Sequence, residues 1–226
     1  TYMRNGPNLR FEPLGDYHWF DGDGMLHAVD LENGTARYRN RWIQSAGLRA
    51  EENLGRAIFG GFNDSKSTNT AEAKKAGGMK NLANTNIIQH AGKVLACWEA
   101  GLPTQISSDL TTVGPYDFDG KLQGPMTAHP KVDPITGELL FFGYIPGLRY
   151  YEADADGTIT RSVAVELPRP VMIHDFAFTE NHVVFMDAPA VMDYESLMRG
   201  GPLVQWQPAY GTRIGILPRG NGGDQV

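Results

Sequence analysis

The sequence predicts an all-β protein of the propeller type, and three observations carry that reading. The 27 glycines and 14 prolines among 226 residues fall between short apolar runs and do not collect in one linker, which is the punctuation of many short strands. A unit built from a run of β-formers, a tight polar turn and a second run recurs four times. Hairpins of similar size, joined by longer proline-rich connections, fit propeller blades better than a parallel α/β sheet.

The first hairpin runs from Met25 to Leu31, turns at Glu32-Asn33-Gly34 and returns from Thr35 to Arg39. Residues 50–80 then interrupt the pattern. Ala71-Glu-Ala-Lys-Lys-Ala76 is the only helical piece expected there, and 65–78 reads as an exposed insertion. The second hairpin spans Asn84 to Gln89, His90-Ala91-Gly92, and Lys93 to Trp98. The third spans Leu148 to Ala153, Asp154 to Gly157, and Thr158 to Val165, and the fourth His174 to Phe178, Thr179-Glu180-Asn181, and His182 to Asp187. Asn-Gly and Asp-Gly steps supply the positive φ that such turns require. A short helix is expected from Met192 to Met198. No linker divides the chain, so residues 1–226 read as consecutive blades of one partial propeller domain. The opening inside a Gly/Pro turn and the close on Gly220-Asn-Gly-Gly-Asp-Gln-Val226 read as a piece of a longer chain. An unpaired strand edge should make such a piece aggregate when expressed alone.

Composition narrows the partners. A net charge of −6 and a pI near 5.5, with scattered Lys and Arg, leave no basic patch for a phosphate backbone, so nucleic acid is not expected. Cys97 is the single cysteine; there is no disulfide framework and no thiolate cage, which suits a reducing compartment. Cytoplasmic localisation is the expectation, with peripheral membrane contact left open. No apolar run is long enough to cross a membrane as a helix.

Two segments carry the chemistry: Gly124-Pro-Met-Thr-Ala-His129-Pro-Lys-Val-Asp133-Pro-Ile-Thr-Gly137-Glu138 and Arg169-Pro-Val-Met-Ile-His174-Asp175-Phe-Ala-Phe-Thr179. Each places a histidine at a strand end beside a turn. A lone histidine there is more often a core residue satisfied by a carbonyl. Two of them, with no clustered Cys or carboxylate to compete, leave all-imidazole coordination as the metal reading, suited to Fe, Cu, Ni or Zn. Asp21-Gly-Asp-Gly24 lacks the spaced oxygens and terminal Glu of a calcium loop and reads as a tight turn. Tyr17, Trp19 and Phe20 read as packing between blades.

These segments, with Arg4-Asn-Gly-Pro7, Tyr17-His-Trp-Phe-Asp-Gly-Asp-Gly-Met-Leu-His27, Tyr38-Arg-Asn-Arg-Trp42, Asn84-Thr, Trp98-Glu99-Ala-Gly-Leu-Pro103 and Phe142-Gly-Tyr144, make the chain resemble the carotenoid cleavage oxygenases. That family also holds the lignostilbene dioxygenases, and the likeness runs over essentially the whole sequence. It implies a seven-bladed β-propeller with an active-site cap, of which this chain is roughly the first half. It implies, too, Fe(2+) on the axis held by four histidines, with no organic cofactor. His129 and His174 match the first two ligands, and the other two fall beyond Val226, so the piece alone should be inactive. His18, His27, His90 and His182 match no ligand and read as structural or solvent-facing. Glu99 matches a carboxylate that accepts the free N–H of a ligand imidazole.

The resemblance implies O2-dependent cleavage of a conjugated C=C bond into two carbonyl products. Members acting on hydroxystilbenes carry a Lys immediately before that Glu and an earlier Tyr. Here Trp98 and Phe62 stand at those places, and neither accepts a phenolic proton. A carotenoid or apocarotenoid is therefore expected over a lignostilbene or phenylpropanoid. Two other classes stay in view: a non-catalytic ligand-binding propeller, and a lactonase-like hydrolase whose ion is held by carboxylates. The paired histidines argue against the second.

Overall fold

The computed structural model describes residues 1–61, 71–199 and 201–220. They form antiparallel sheets in two compact units, Thr1–Tyr116 and Asp117–Val226.

In the first unit β1 (Tyr2–Asn8), β2 (Asp23–Glu32) and β3 (Thr35–Trp42) pair in sequence order. The β2–β3 hairpin turns at Asn33 and Gly34, both at positive φ, as read from the sequence. Two helices follow, α1 (Ala46–Leu54) and α2 (Ala71–Lys75). Then β4 (Asn86–His90), β5 (Lys93–Cys97), β6 (Thr104–Ile106) and β7 (Thr112–Pro115) make a four-stranded meander. Leu26, Ala28, Ile43, Ala83, Ala96, Ile106 and Leu110 form its buried core.

Helix α1 corrects the expectation of a single helical piece in residues 50–80. Ser45 caps it by accepting the Leu48 N–H, and Gly55 closes it in the left-handed conformation; both signals stand in the sequence. Its Glu51 is buried and does two jobs. One carboxylate oxygen accepts the Ile58 and Phe59 N–H groups, while the other pairs with Lys80, which also pairs with Asp23. Within the expected insertion, 65–70 lie outside the described residues. Across 71–78 only Ala73 is buried, packed with Ile58 and Phe59.

The Asp21–Gly24 turn has a structural explanation. Asp21 accepts the His18 N–H, and Asp23 faces Lys80. A Cβ on Gly24 would strike the carbonyls of Leu82 and Ala83, so glycine lets β2 approach that segment closely enough for the Gly24 N–H to reach Leu82 O at 2.9 Å. The neighbouring aromatics depart from expectation: Tyr17 is 40%, Trp19 80% and Phe20 61% exposed.

In the second unit β8 (Lys131–Val132), β9 (Leu139–Gly143), β10 (Arg149–Ala153) and β11 (Ile159–Ala164) form another four-stranded meander. Next, β12 (Ala177–Phe178) and β13 (His182–Asp187) make a hairpin, β14 (Ala190–Met192) pairs with β15 (Val204–Trp206), and β16 (Arg213–Pro218) returns to pair with β13. The α3 helix (Tyr194–Met198) lies between β14 and β15, at the predicted place.

Every residue of β9 is buried, so both of its faces are covered. Phe141 stacks on Phe118 and Tyr151 on one face. On the other, Phe142, Phe176 and Phe185 form a triangle with centroids 5.2–5.7 Å apart, a spacing at which aromatic pairs add to plain burial. Arg219, after β16, reaches Asp133 at 2.7 Å and Glu138 at 2.9 Å, and Arg161 pairs with Glu152 at 3.1 Å. The Arg219 pairs tie the end of the last strand to the four-stranded sheet, and Arg161, held by Glu152 within that sheet, donates to the Pro218 carbonyl at 2.6 Å.

Two predictions follow from this packing. Phe185→Ala should lower the unfolding free energy by about 3–5 kcal/mol, read from urea denaturation. The N–H of Ile135 and the Arg219 guanidinium hold the Asp133 carboxyl below its usual range. A lowered folded pKa stabilises fully above the unfolded value and fades as pH falls through the folded one. Asp133→Asn should therefore lower Tm at about pH 6 and reduce the loss of Tm between about pH 5 and pH 3.

Candidate metal centre

His129 stands two residues before β8 and His174 three residues before β12, so both occupy the entry to the first strand of a sheet. Asn84, two residues before β4, holds the corresponding place in the first unit. There the side chain is structural, its amide donating to the carbonyls of Phe20 and Gly22 at 2.8 and 2.7 Å.

Flanking contacts fix each histidine segment. Thr127 is fully buried; its N–H donates to the Phe142 carbonyl at 2.6 Å, and its hydroxyl accepts the His129 N–H at 3.1 Å. Gly143 is required beside this segment, because a Cβ there would run into the Pro125 carbonyl. The His174 segment is held by the Met172 N–H to Ala190 O and the Met192 N–H to Pro170 O, at 2.8 and 2.9 Å. Val171, Ile173 and Phe176 are buried while His174 and Asp175 face outward.

The outcome is a close pair of imidazoles, with His129 Nε2 2.9 Å from His174 Nε2 and the rings edge-on at 68°. Two nitrogen lone pairs that close repel unless something positive lies between them, either a shared proton or a metal ion. The two Nε2 atoms are close enough for one ion to be held by both, and imidazole donors suit a transition metal. Among the described residues no group of three or more His, Cys, Asp or Glu gathers as a metal site, so the chain brings two donors together.

Lys131 and Asp175 flank the pair, bridged at 2.7 Å. Burial works against ionisation of Asp175, yet Lys131, the Phe176 N–H and nearby His129 together hold its carboxyl below the usual range. Cys97 is no candidate, since burial pushes its thiol up to about 12 and leaves no thiolate to bind or attack.

The remaining histidines do local work. His18 accepts the Phe20 N–H at 3.2 Å, His27 Nδ1 lies 2.6 Å from Tyr38 Oη across a strand pair, His90 ends β4 in a buried position, and the His182 N–H bonds Thr179 Oγ1. Trp98 and Glu99, both half-buried, follow β5 in a turn closed by the Gly101 N–H to Trp98 O at 3.3 Å. Phe62 lies outside the described residues. Sequence reasoning passed over Lys131 and Gly143, whose only signal was adjacency to the histidine motifs.

Antiparallel sheets of three and four strands, two of them with an imidazole at the entry to the first strand, define a propeller-like all-β protein with a candidate metal centre. The chain belongs to the RPE65 family of carotenoid cleavage oxygenases, whose profile, described as "Retinal pigment epithelial membrane protein", matches residues 1–226. It is 36% identical to carotenoid 9,10(9',10')-cleavage dioxygenase 1 of Phaseolus vulgaris, covering 96% of this chain and 44% of that protein. It is 37% identical to isoeugenol monooxygenase of Pseudomonas nitroreducens, covering 100% of this chain and 48% of that one. The crystal structure of Pseudomonas brassicacearum lignostilbene dioxygenase superposes with a TM-score of 0.88 at 35% identity, over 96% of this chain and 46% of that chain. The chain thus spans about half the length of the relatives it matches. Among the described residues, no helix is long and apolar enough to cross a membrane.

The site makes one test of its support. Gly143→Ala should displace the Pro125–His129 segment. Expected are a lower Tm and Co(II) affinity reduced by about tenfold, measured by scanning fluorimetry and by titration of the full-length gene product.

Proposed function

We propose that His129 and His174 are two of the ligands of a non-haem Fe(II) dioxygenase that cleaves a conjugated C=C bond of a carotenoid or apocarotenoid. The observation that carries the reading is the 2.9 Å approach of the two Nε2 atoms at successive strand entries, in a chain of this family. The four-imidazole set implied by the resemblance would take its other two donors from the part of the relatives' length that this chain does not span. The fold would be completed there as a seven-bladed propeller with its cap.

Bound there, ferrous iron would supply activation of O2 beside the alkene, whose C=C bond is exchanged for two C=O bonds, one oxygen atom of O2 in each. The residues' own contribution is positional and electrostatic. Neutral imidazoles would leave a bound ion its full positive charge, and the buried residues around each histidine hold the two Nε2 donors 2.9 Å apart. Glu99, by the resemblance, accepts the free N–H of a ligand imidazole and fixes its tautomer, a role worth about 10 to 100-fold in affinity or activity.

Trp98 directs the choice of substrate. An indole N–H only donates, so Trp98 cannot deprotonate a phenol, and its ring offers an apolar wall suited to a polyene. By the resemblance, Phe62 stands where the hydroxystilbene-cleaving members carry a Tyr, and a phenyl ring accepts no phenolic proton either. A second reading, cleavage of a lignostilbene or phenylpropanoid alkene, is favoured by the likeness to the isoeugenol and lignostilbene enzymes. Peripheral membrane contact, through which an apolar substrate would enter, belongs to the first reading.

The test is anaerobic Fe(II) loading of the full-length gene product, then aerobic turnover of an apocarotenal and a hydroxystilbene in parallel. Iron-dependent aldehyde release from the polyene, abolished in His129→Ala and in His174→Ala, is expected. Cleavage of the stilbene alone would select the second reading, and absence of iron binding would make the protein a ligand-binding propeller.

A further inference from the structure

We infer that the Lys131–Asp175 ion pair is a positioning brace for the metal centre, joining the strand entry that carries His129 to the one that carries His174. The inference rests on the metal-binding reading above. Neither histidine lies within a strand, so no ladder of backbone hydrogen bonds sets its place, and β8 and β12 belong to different sheets. Backbone bonds tie each segment to its own neighbour, Thr127 to Phe142 and Met172 to Ala190, and side-chain links join one histidine segment to the other.

Lys131 follows His129 by two residues and Asp175 follows His174 directly. Their Nζ and Oδ1 atoms are 2.7 Å apart. The same Oδ1 accepts the Phe176 N–H at 2.8 Å, and the same ammonium lies 5.7 Å from the centroid of the Phe176 ring, within reach of a cation–π contact. Three interactions thus converge where the two segments meet, one residue from one imidazole and two from the other.

A half-exposed ion pair contributes little to global stability. Its effect here is local, because a shift of a few tenths of an ångström in either segment changes the angle the two donors present to an ion. A cation so close to a metal would by itself repel it. Asp175 neutralises that charge, so the pair acts on the centre through geometry and adds no net charge beside it.

The test uses the full-length gene product and Co(II), whose d–d absorption reports ligand geometry. Lys131→Met keeps the apolar stem on Phe176 and removes the charge; Asp175→Asn removes its partner. Each should bind Co(II) about threefold to tenfold more weakly with an altered d–d spectrum and a Tm near wild type. The double variant should bind no more weakly than either single one, and the swapped pair Lys131→Asp with Asp175→Lys should recover affinity and spectrum. Unchanged or tighter binding by Lys131→Met, or losses that simply add in the double variant, would overturn the brace. If wild type binds no Co(II), the metal reading fails and the brace with it, whereas wild-type binding that Lys131→Met leaves unmoved removes the brace alone.

Discussion

The contact between Phe142 and Phe176 is the interaction on which the candidate centre depends. Phe142 lies in a strand covered on both faces, and its carbonyl accepts the Thr127 N–H that anchors the His129 segment. Its ring meets Phe176, two residues after His174, at 5.2 Å. One buried residue therefore addresses both histidine segments, by backbone to the first and by ring to the second. Close-packed aromatic contacts resist small displacements because any gap forfeits dispersion on one side. The rigidity of two irregular, partly exposed segments is thus borrowed from a residue of the core.

A repeated fold supplies equivalent places, and side-chain chemistry decides what each one does. Asn84 occupies a strand entry and turns its amide inward to two carbonyls, joining the Trp19–Gly22 segment to β4. Histidine at the corresponding places of the next two sheets presents a nitrogen lone pair that an amide nitrogen lacks. Repetition then brings two such nitrogens together without any local motif of the kind that gathers ligands on one helix or loop. This explains why the spacing of forty-five residues between His129 and His174 carries no meaning as a ligand spacing in itself.

What was legible in the sequence follows from the range of the interactions. The four hairpins were legible because their turns are local: Asn33-Gly34, Ala91-Gly92 and the Asp154–Gly157 turn adopt their conformations for reasons contained in a few residues. The two histidines stood out through residue type and flanking turns, and the family motifs suggested a role for them. Helix α1 was missed although Ser45 and Gly55 mark its ends, because its apolar stripe is weak; the helix is held through Glu51, whose partners Ile58, Phe59 and Lys80 lie outside it. Trp19 and Phe20 were expected to be covered because they are aromatic, and composition says nothing about what lies opposite a side chain. Lys131 and Asp175 were invisible as a pair, since forty-four residues separate them and only the packing of β9 against the His174 segment brings them together.

Charge placement explains why imidazoles, and not carboxylates, are left to form a centre. Among the described residues the buried acids are committed to cations of the scaffold: Asp23 and Glu51 to Lys80, Asp133 to Arg219, Glu152 to Arg161, and Asp187 to Arg213. A buried carboxylate already paired and hydrogen-bonded would have to lose those partners before it could turn to a metal, at a cost of several kcal/mol. Asp175, the acid nearest the imidazole pair, is likewise engaged by Lys131. The scaffold thereby removes the hard oxygen donors that would favour magnesium or calcium and leaves nitrogen donors at the strand entries. The ion pairs of the framework thus decide which donors the strand entries are left to present.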